Sequence, residues 1–148
     1  MGIAGYEIST DDSRLDIDAM HAYLTRSYWS PGIPRETVER AARHSLCFGV
    51  YQSGGGPQVG LARVVTDHAT FAYLCDVYVL EEHRGRGLSK WLMREVMSHP
   101  ALTGARRAML GTRDAHGLYA RHGFTAPPTD GVLMQILKPD PYRSATTD

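Results

Sequence analysis

Two groups of side chains in this sequence have the types and spacing to do chemistry. The first is Arg84-Gly85-Arg86-Gly87-Leu88-Ser89-Lys90. Its glycines separate an apolar, strand-like run from a helical one, in which Leu88, Trp91, Leu92, Glu95 and Val96 recur at helical spacing and Pro100 marks the stop. Glycine at such a junction lets a ligand approach the backbone, and the first amide groups of a helix point outward without a partner inside it. Arg84, Arg86 and Lys90 bring positive charge to the same point. The stretch predicts an anion site, with phosphate as the leading ligand. The second group is Tyr119 and Asp76. Tyr119, beside Leu118 on one helix face, reads from the helix alone first as a packed core tyrosine, although a phenol of ordinary pKa about 10 can also hand a proton to a strong base. Asp76 is an acid inside the apolar run 71–80, where a carboxylate serves either as a base or as the acceptor of fixed hydrogen bonds. Tyr73 lies on the same run with opposite parity, unless a bulge intervenes.

Other motifs are excluded. Gly85-x-Gly87-x-x-Lys90 lacks the third glycine of a dinucleotide fingerprint, and no G-x-x-x-x-G-K-S/T occurs. His21, His44, His68 and His116 show no metal-ligand spacing, so no metal is expected. Cys47 and Cys75 lie in apolar runs without C-x-x-C spacing and read as reduced core residues, which favours the cytoplasm.

Positioning these groups requires a sheet with helices around it. Residues 6–9 read as a strand, and Ile17, Met20, His21 and Leu24 share a helix face behind several candidate caps at 10–13. Pro31-Gly32-Ile33-Pro34 breaks the chain, and 35–44 forms a second helix with Val38, Ala41 and Ala42 inward. Segments 46–52, 58–67 and 71–80 make an antiparallel meander, turned at 53–57 and at Asp67-His68-Ala69-Thr70. After the helix beginning at Leu88, 101–104 is a loop and 107–112 a strand parallel to 71–80, because a helical crossover joins them. Asp114 caps a helix through Leu118 and Tyr119 that Gly123 ends. Gly117 inside it costs about 1 kcal/mol relative to alanine, for which close packing is the expected reason. Phe124 opens a strand, 132–137 closes the sheet, and 138–148 is a polar tail. The reading is a single mixed α/β domain over 1–148.

Composition agrees: 148 residues, 43% hydrophobic and 22% charged, suit one globular domain. Zero formal net charge gives no global pull toward nucleic acid or an anionic membrane. No run approaches membrane-spanning length, no secretory leader is expected, and Met-Gly at the start lacks a myristoylation Ser or Thr because Tyr6 stands there.

The loop also resembles the acyl-CoA loop of the GNAT superfamily of N-acetyltransferases, Q/R-x-x-G-x-G/A, with Ser89 in the last place. A second GNAT segment, N-x-x-A-x-x-L-Y-x-x-x-G-F, is matched from Thr112 to Phe124, with Thr112 replacing asparagine. The chain resembles a small, bacterial-type member. That resemblance implies the order β-α-α-β-β-β-α-β-α-β-β, with central parallel strands splayed to admit a thioester. It implies acetyl-CoA as cofactor, its pyrophosphate on the amides of Arg84, Gly85, Arg86, Gly87, Leu88, Ser89 and Lys90. Val77, Tyr78 and Val79 would pair their main chain with the pantetheine, and Thr112 would lie beside it. Tyr119 would be the general acid, and Asp76 the base, directly or through water, or a structural acceptor. The acceptor would sit against the first two helices, around Tyr28, Trp29, Arg63 and Tyr73. A small metabolite amine is favoured, a peptide or protein amine stays open, and a homodimer is admitted. Transfer would be direct in a ternary complex, since neither cysteine matches a family nucleophile. Two rivals are an acyl-CoA-binding regulatory module without turnover and a nucleic-acid-binding domain using Arg84, Arg86, Lys90 and Arg94. The zero net charge speaks against the second.

Overall fold

The computed structural model describes residues 2–128 and 131–142. Runs of β-branched and aromatic residues broken by polar turns give five strands, β1 (Tyr6–Ser9), β2 (Leu46–Gln52), β3 (Gln58–Thr66), β4 (Phe71–Val79) and β5 (Arg107–Leu110), arranged in that order in one sheet. The first four pair antiparallel and β5 lies parallel to β4, as a crossover through helix α3 requires. Two helices, α1 (Ile17–Leu24) and α2 (Arg35–Arg43), cover one face, and α3 (Leu88–Ser98) covers the other. Strand periodicity feeds both layers. Leu61 joins Met20, Leu24, Val38 and Ala42, while its neighbour Ala62 joins Leu92, Met93 and Val96. Among the described residues no helix is long and apolar enough to cross a membrane.

Several local expectations change. Asp16, not a residue of 10–13, caps α1, its carboxylate accepting from the Ala19 amide at 3.0 Å. The earlier acids instead build a 3-10 turn, Asp12–Arg14, capped by Asp11. Residues expected as a loop form a helical turn, α4 (Pro100–Thr103), because Pro100 occupies its first position, where a missing amide is no loss. The His99 Nδ1 accepts from the Ala101 amide at 3.1 Å. Asp114 does not cap the last helix, α5 (His116–Ala120); its exposed carboxylate lies 3.6 Å from Arg113. No side chain caps α5; the Thr112 hydroxyl accepts from the amide of Ala115, the residue before the helix, at 3.1 Å. Close packing does not explain Gly117, since a Cβ there would meet no atom within 4 Å.

The largest correction concerns the two final strands. Neither Phe124 nor 132–137 is strand, and β4 is therefore the fourth strand of five rather than central. Pro127 and Pro128 supply no amide donors, so a hairpin between 124–128 and 132–137 would lose two rungs of its ladder. The tail is not uniformly loose: Tyr142 packs against the cluster of α1 and α2 beside Gly32, while 143–148 lie outside the described residues.

Candidate functional site

β4 enters the glycine loop through an acidic 3-10 turn, Glu81–His83, fixed from two sides. The Tyr6 hydroxyl and His83 Nδ1 stand 2.7 Å apart, and Arg26 donates to both Glu81 oxygens at 2.8 and 3.0 Å. Those Arg26 bonds hold the Glu81 carboxyl down at about 2. Gly85 and Gly87 then take φ of 78° and 83°, where a side chain would be strained. α3 starts from Gly87 with no side chain capping its amides. The backbone amides of 85–90 have no hydrogen-bond partner among the described residues, and Arg86, Ser89 and Lys90 are exposed around them.

Arg84 departs from the expected role. Its amide already donates to the Glu81 carbonyl at 3.2 Å. Its guanidinium turns back, donating through Nε to the Val79 carbonyl at 2.9 Å and to the Tyr23 hydroxyl at 3.1 Å. Arg84 therefore shapes the loop, and the available amides begin at Gly85. The Leu88 side chain is buried in the core, which leaves only its amide toward the loop. Val79 keeps its carbonyl partly engaged. Tyr78 offers main chain alone, because its ring is buried and stacks on Tyr23 with centroids 4.0 Å apart.

Upstream of the loop, from the middle of β4 onward, the sheet opens. β4 and β5 pair only from Phe71 opposite Arg107 to Leu74 opposite Leu110. Past that point Cys75, Asp76 and Val77 face Gly111 and Thr112 across a pocket of about 450 Å³. A bulge helps to set this shape. Asp76 has φ 51°, and the ladder slips so that Leu61 opposes Tyr78 while Arg63 opposes Cys75, one more residue on β4 than on β3. Aspartate tolerates the left-handed region better than most side chains. The extra residue reverses the parity of β4: Ala72 and Leu74 before it, and Val79 after it, all pack on the α3 side. It also brings Asp76 into the same pocket as Tyr73.

The pocket gathers Tyr28, Trp29, Arg63, Tyr73, Asp76, Val77, Thr112 and Tyr119, all named from the sequence. The loop 84–90 is not among its walls; β4 connects the two, advancing ~10 Å from Asp76 to Val79. Both Asp76 oxygens are engaged, Oδ1 accepting from Trp29 Nε1 and Oδ2 from Arg63 Nε, each at 2.8 Å. The pair is largely dry, with side chains 9% and 18% exposed for Asp76 and Arg63. Burial works most strongly against the Arg63 charge, but the charge and hydrogen bond of Asp76 together with the neighbouring Cys75 and Cys47 leave its pKa above the ordinary value. Arg63 also donates to the Ser45 hydroxyl at 3.0 Å. Tyr119 is half-buried, edge-on to Phe124 with centroids 6.1 Å apart. Burial first, and the nearby Tyr28 phenol second, raise its pKa, so the hydroxyl holds its proton at neutral pH.

Sequence reasoning missed Arg113, which lies 3.8 Å over the Tyr28 ring and whose amide donates to the Tyr28 hydroxyl at 3.4 Å. Its place next to Thr112 in the second motif was the available signal. Tyr23 and Ser45 left none, because each acts through a contact distant in sequence. Cys75 also lines the pocket, yet burial pushes its thiol up to about 11, and Cys47 up to about 12, so neither is a ready nucleophile. Both cysteines are free.

The profile of the acetyltransferase (GNAT) family matches residues 9–124. A Gibberella zeae protein with a provisional acetyltransferase name is 37% identical over 138 residues, covering 79% of this chain and 77% of its own. A crystal structure from Xanthomonas campestris pv. campestris, provisionally named a GNAT acetyltransferase, is 52% identical with a TM-score of 0.90, covering 96% of this chain and 99% of that one. Glucosamine-6-phosphate N-acetyltransferase from Arabidopsis thaliana shares the fold alone, at 16% identity and a TM-score of 0.61 over 90% of this chain and 97% of that one. The profile match over most of the sequence, joined to the open sheet and the row of unpartnered amides, makes this chain a member of the GNAT family of acetyltransferases.

Proposed function

We propose that this protein moves an acetyl group from acetyl-CoA to a primary amine by direct attack in a ternary complex, residues 1–148 acting as one catalytic domain. The observation that carries the reading is the row of unpartnered amides at 85–90, at the end of a strand whose other edge is open past Leu74. These features fit the group: the amides and the exposed Arg86 and Lys90 suit a diphosphate, and the free edge of Val77–Tyr78–Val79 suits an extended amide chain. When bound, acetyl-CoA supplies an activated acetyl thioester. Tyr119 holds a proton at its hydroxyl for the departing thiolate, whose basicity corresponds to a pKa near 8.5 by comparison with cysteine.

The acceptor amine sits between Tyr28, Trp29 and Tyr73. A cavity of about 450 Å³ suits a small molecule, since such ligands occupy clefts of roughly 300–1,000 Å³. An ammonium of pKa ~10.4 must lose a proton before attack, at a cost of roughly 4–5 kcal/mol at neutral pH. Asp76 does not take that proton in this reading. Its two oxygens anchor Trp29 and Arg63, and water relays the proton outward. Two unpaired cysteines suit a reducing compartment, in keeping with a cytoplasmic enzyme.

Calorimetry with acetyl-CoA, followed by thiol release over a panel of amines, tests the function. Ser89→Asp supplies the control for the loop. Ser89 is the second residue of α3, where a carboxylate favours the helix but opposes a bound phosphate. At roughly 5 Å that repulsion amounts to ~1–3 kcal/mol per phosphate charge, between water and an effective dielectric of 20. Acetyl-CoA affinity should fall by about 100-fold or more with the thermal midpoint unchanged or raised. Undiminished affinity would refute the loop assignment, and binding without turnover on any amine would point to a regulatory module.

A further inference from the structure

Charge is unequal on the walls of the acceptor pocket. Arg63 and Arg113 bring two guanidiniums, Asp76 brings one carboxylate, and no other wall residue carries a formal charge. Arg63 and Asp76 neutralise each other across 2.8 Å, which leaves the charge of Arg113 over. Its ion-pair partner, Asp114, is not a wall of the pocket. The two lie 3.6 Å apart, past hydrogen-bonding distance, with side chains 64% and 67% exposed, and a solvated pair of that kind holds a cation weakly.

Both guanidiniums also keep donors for a ligand. Arg113 is positioned by the Tyr28 ring, 3.8 Å from its guanidinium carbon, and its side chain makes no hydrogen bond among the described residues. Arg63 spends Nε on Asp76 and Nη1 on Ser45, while its Nη2 has no partner among the described residues. That nitrogen is not sealed from solvent, since the Tyr51 hydroxyl is the one buried side-chain polar atom without a partner among them. Building on the acetyl-transfer reading above, we propose that the acceptor is an amine carrying a carboxylate, an amino acid in the broad sense, and that Arg113 selects it, with Arg63 Nη2 as a second donor. A guanidinium edge matches a carboxylate with two parallel N–H bonds. An amine without an anionic group would instead bring a third cation beside two guanidiniums and a single countercharge, and be repelled. One surplus charge suits a monoanion better than a phosphate dianion. The exposed rings of Tyr28, Trp29 and Tyr73 offer surface for the rest of the molecule. The amide row at 85–90 is not part of these walls, so Arg113 is not spent on a diphosphate held there.

Matched pairs test the selection. Each common amino acid is compared, by thiol release from acetyl-CoA, with the amine that loss of its carboxylate leaves. For the preferred pair kcat/KM should be roughly 10–100-fold higher for the acid, the range of a hydrogen bond to a charged group. In Arg113→Met that ratio should collapse toward one, in Arg113→Lys part of it should return, and acetyl-CoA affinity by calorimetry should stay the same in both. Amines used as well as the acids, a ratio that survives Arg113→Met, or a preference for the aminophosphonate over the amino acid would each overturn the proposal. Thiol release from no compound would sink the acetyl-transfer reading instead, and calorimetry with the same pairs then decides this one. Acid binding that weakens ~10-fold or more in Arg113→Met upholds the carboxylate site; acids that bind no better than their amines overturn it.

Discussion

Asp76→Asn separates the two roles open to this carboxylate. Asparagine accepts φ 51° almost as readily as aspartate, so the bulge should survive. What changes is the bonding, because one amide oxygen must serve where two carboxylate oxygens accept from Trp29 and Arg63 at 2.8 Å. A hydrogen bond to a charged group contributes ~1.5–3 kcal/mol, and the Arg63 guanidinium, only 18% exposed, loses its countercharge. The expected loss is about 2–3 kcal/mol, which for a domain of this size lowers the thermal midpoint by ~5–10 °C. With Trp29 loosened, KM for the amine should rise ~10-fold while kcat changes by less than ~3-fold, as expected for loss of an interaction made equally in ground and transition states. Thermal melts and thiol-release kinetics at varied amine concentration measure both. A general base would behave otherwise: a fall in kcat of ~100-fold or more with midpoint and KM unchanged would refute the anchoring role.

Tyr119→Phe should lower kcat by ~10-fold or more with acetyl-CoA affinity nearly intact, and unchanged turnover would reduce Tyr119 to packing. In the parent protein the alkaline limb of the kcat profile should lie above pH 10, because burial raises the Tyr119 pKa, and this limb should vanish in the variant. Alkaline stability follows from burial of Cys47, Cys75 and Tyr51, whose pKa values rise from 9.0 to about 12, from 9.0 to about 11 and from 10.0 to about 12. The folded state keeps protons that the unfolded chain releases, so urea stability should hold below pH 9 and fall as pH climbs through 11–12. A stability curve flat across that range would contradict the burial of these groups. Gly117→Ala should stabilise by ~0.5–1 kcal/mol, since a Cβ there meets nothing within 4 Å. A lowered thermal midpoint would show that something approaches this position closely.

The sequence made legible whatever follows from local periodicity and short-range spacing. β2 could be read with both ends correct, because its apolar run is bounded by a helix stop and a glycine turn. The amide row at α3 could be read because glycines and a helix start are contiguous there. Within the pocket, Tyr28, Trp29, Arg63, Tyr73 and Tyr119 could be grouped only through family resemblance. Their convergence depends on contacts between residues far apart in sequence, which no pattern along the chain encodes. Arg84 shows the limit of reading charge: as one of three cations around a loop it looked like an anion ligand, yet Glu81, Tyr23 and the Val79 carbonyl claim it.

Sequence alone determined the order of the first nine main elements, the direction of β5 and the place where a row of helix amides stands open, because strand and helix periods and the crossover rule operate locally. Tertiary structure alone decided the bulge at Asp76, the engagement of both its oxygens, and the exclusion of 132–137 from the sheet. Each of these is a competition for hydrogen-bond partners between segments distant in the chain, and its outcome depends on which groups meet in space.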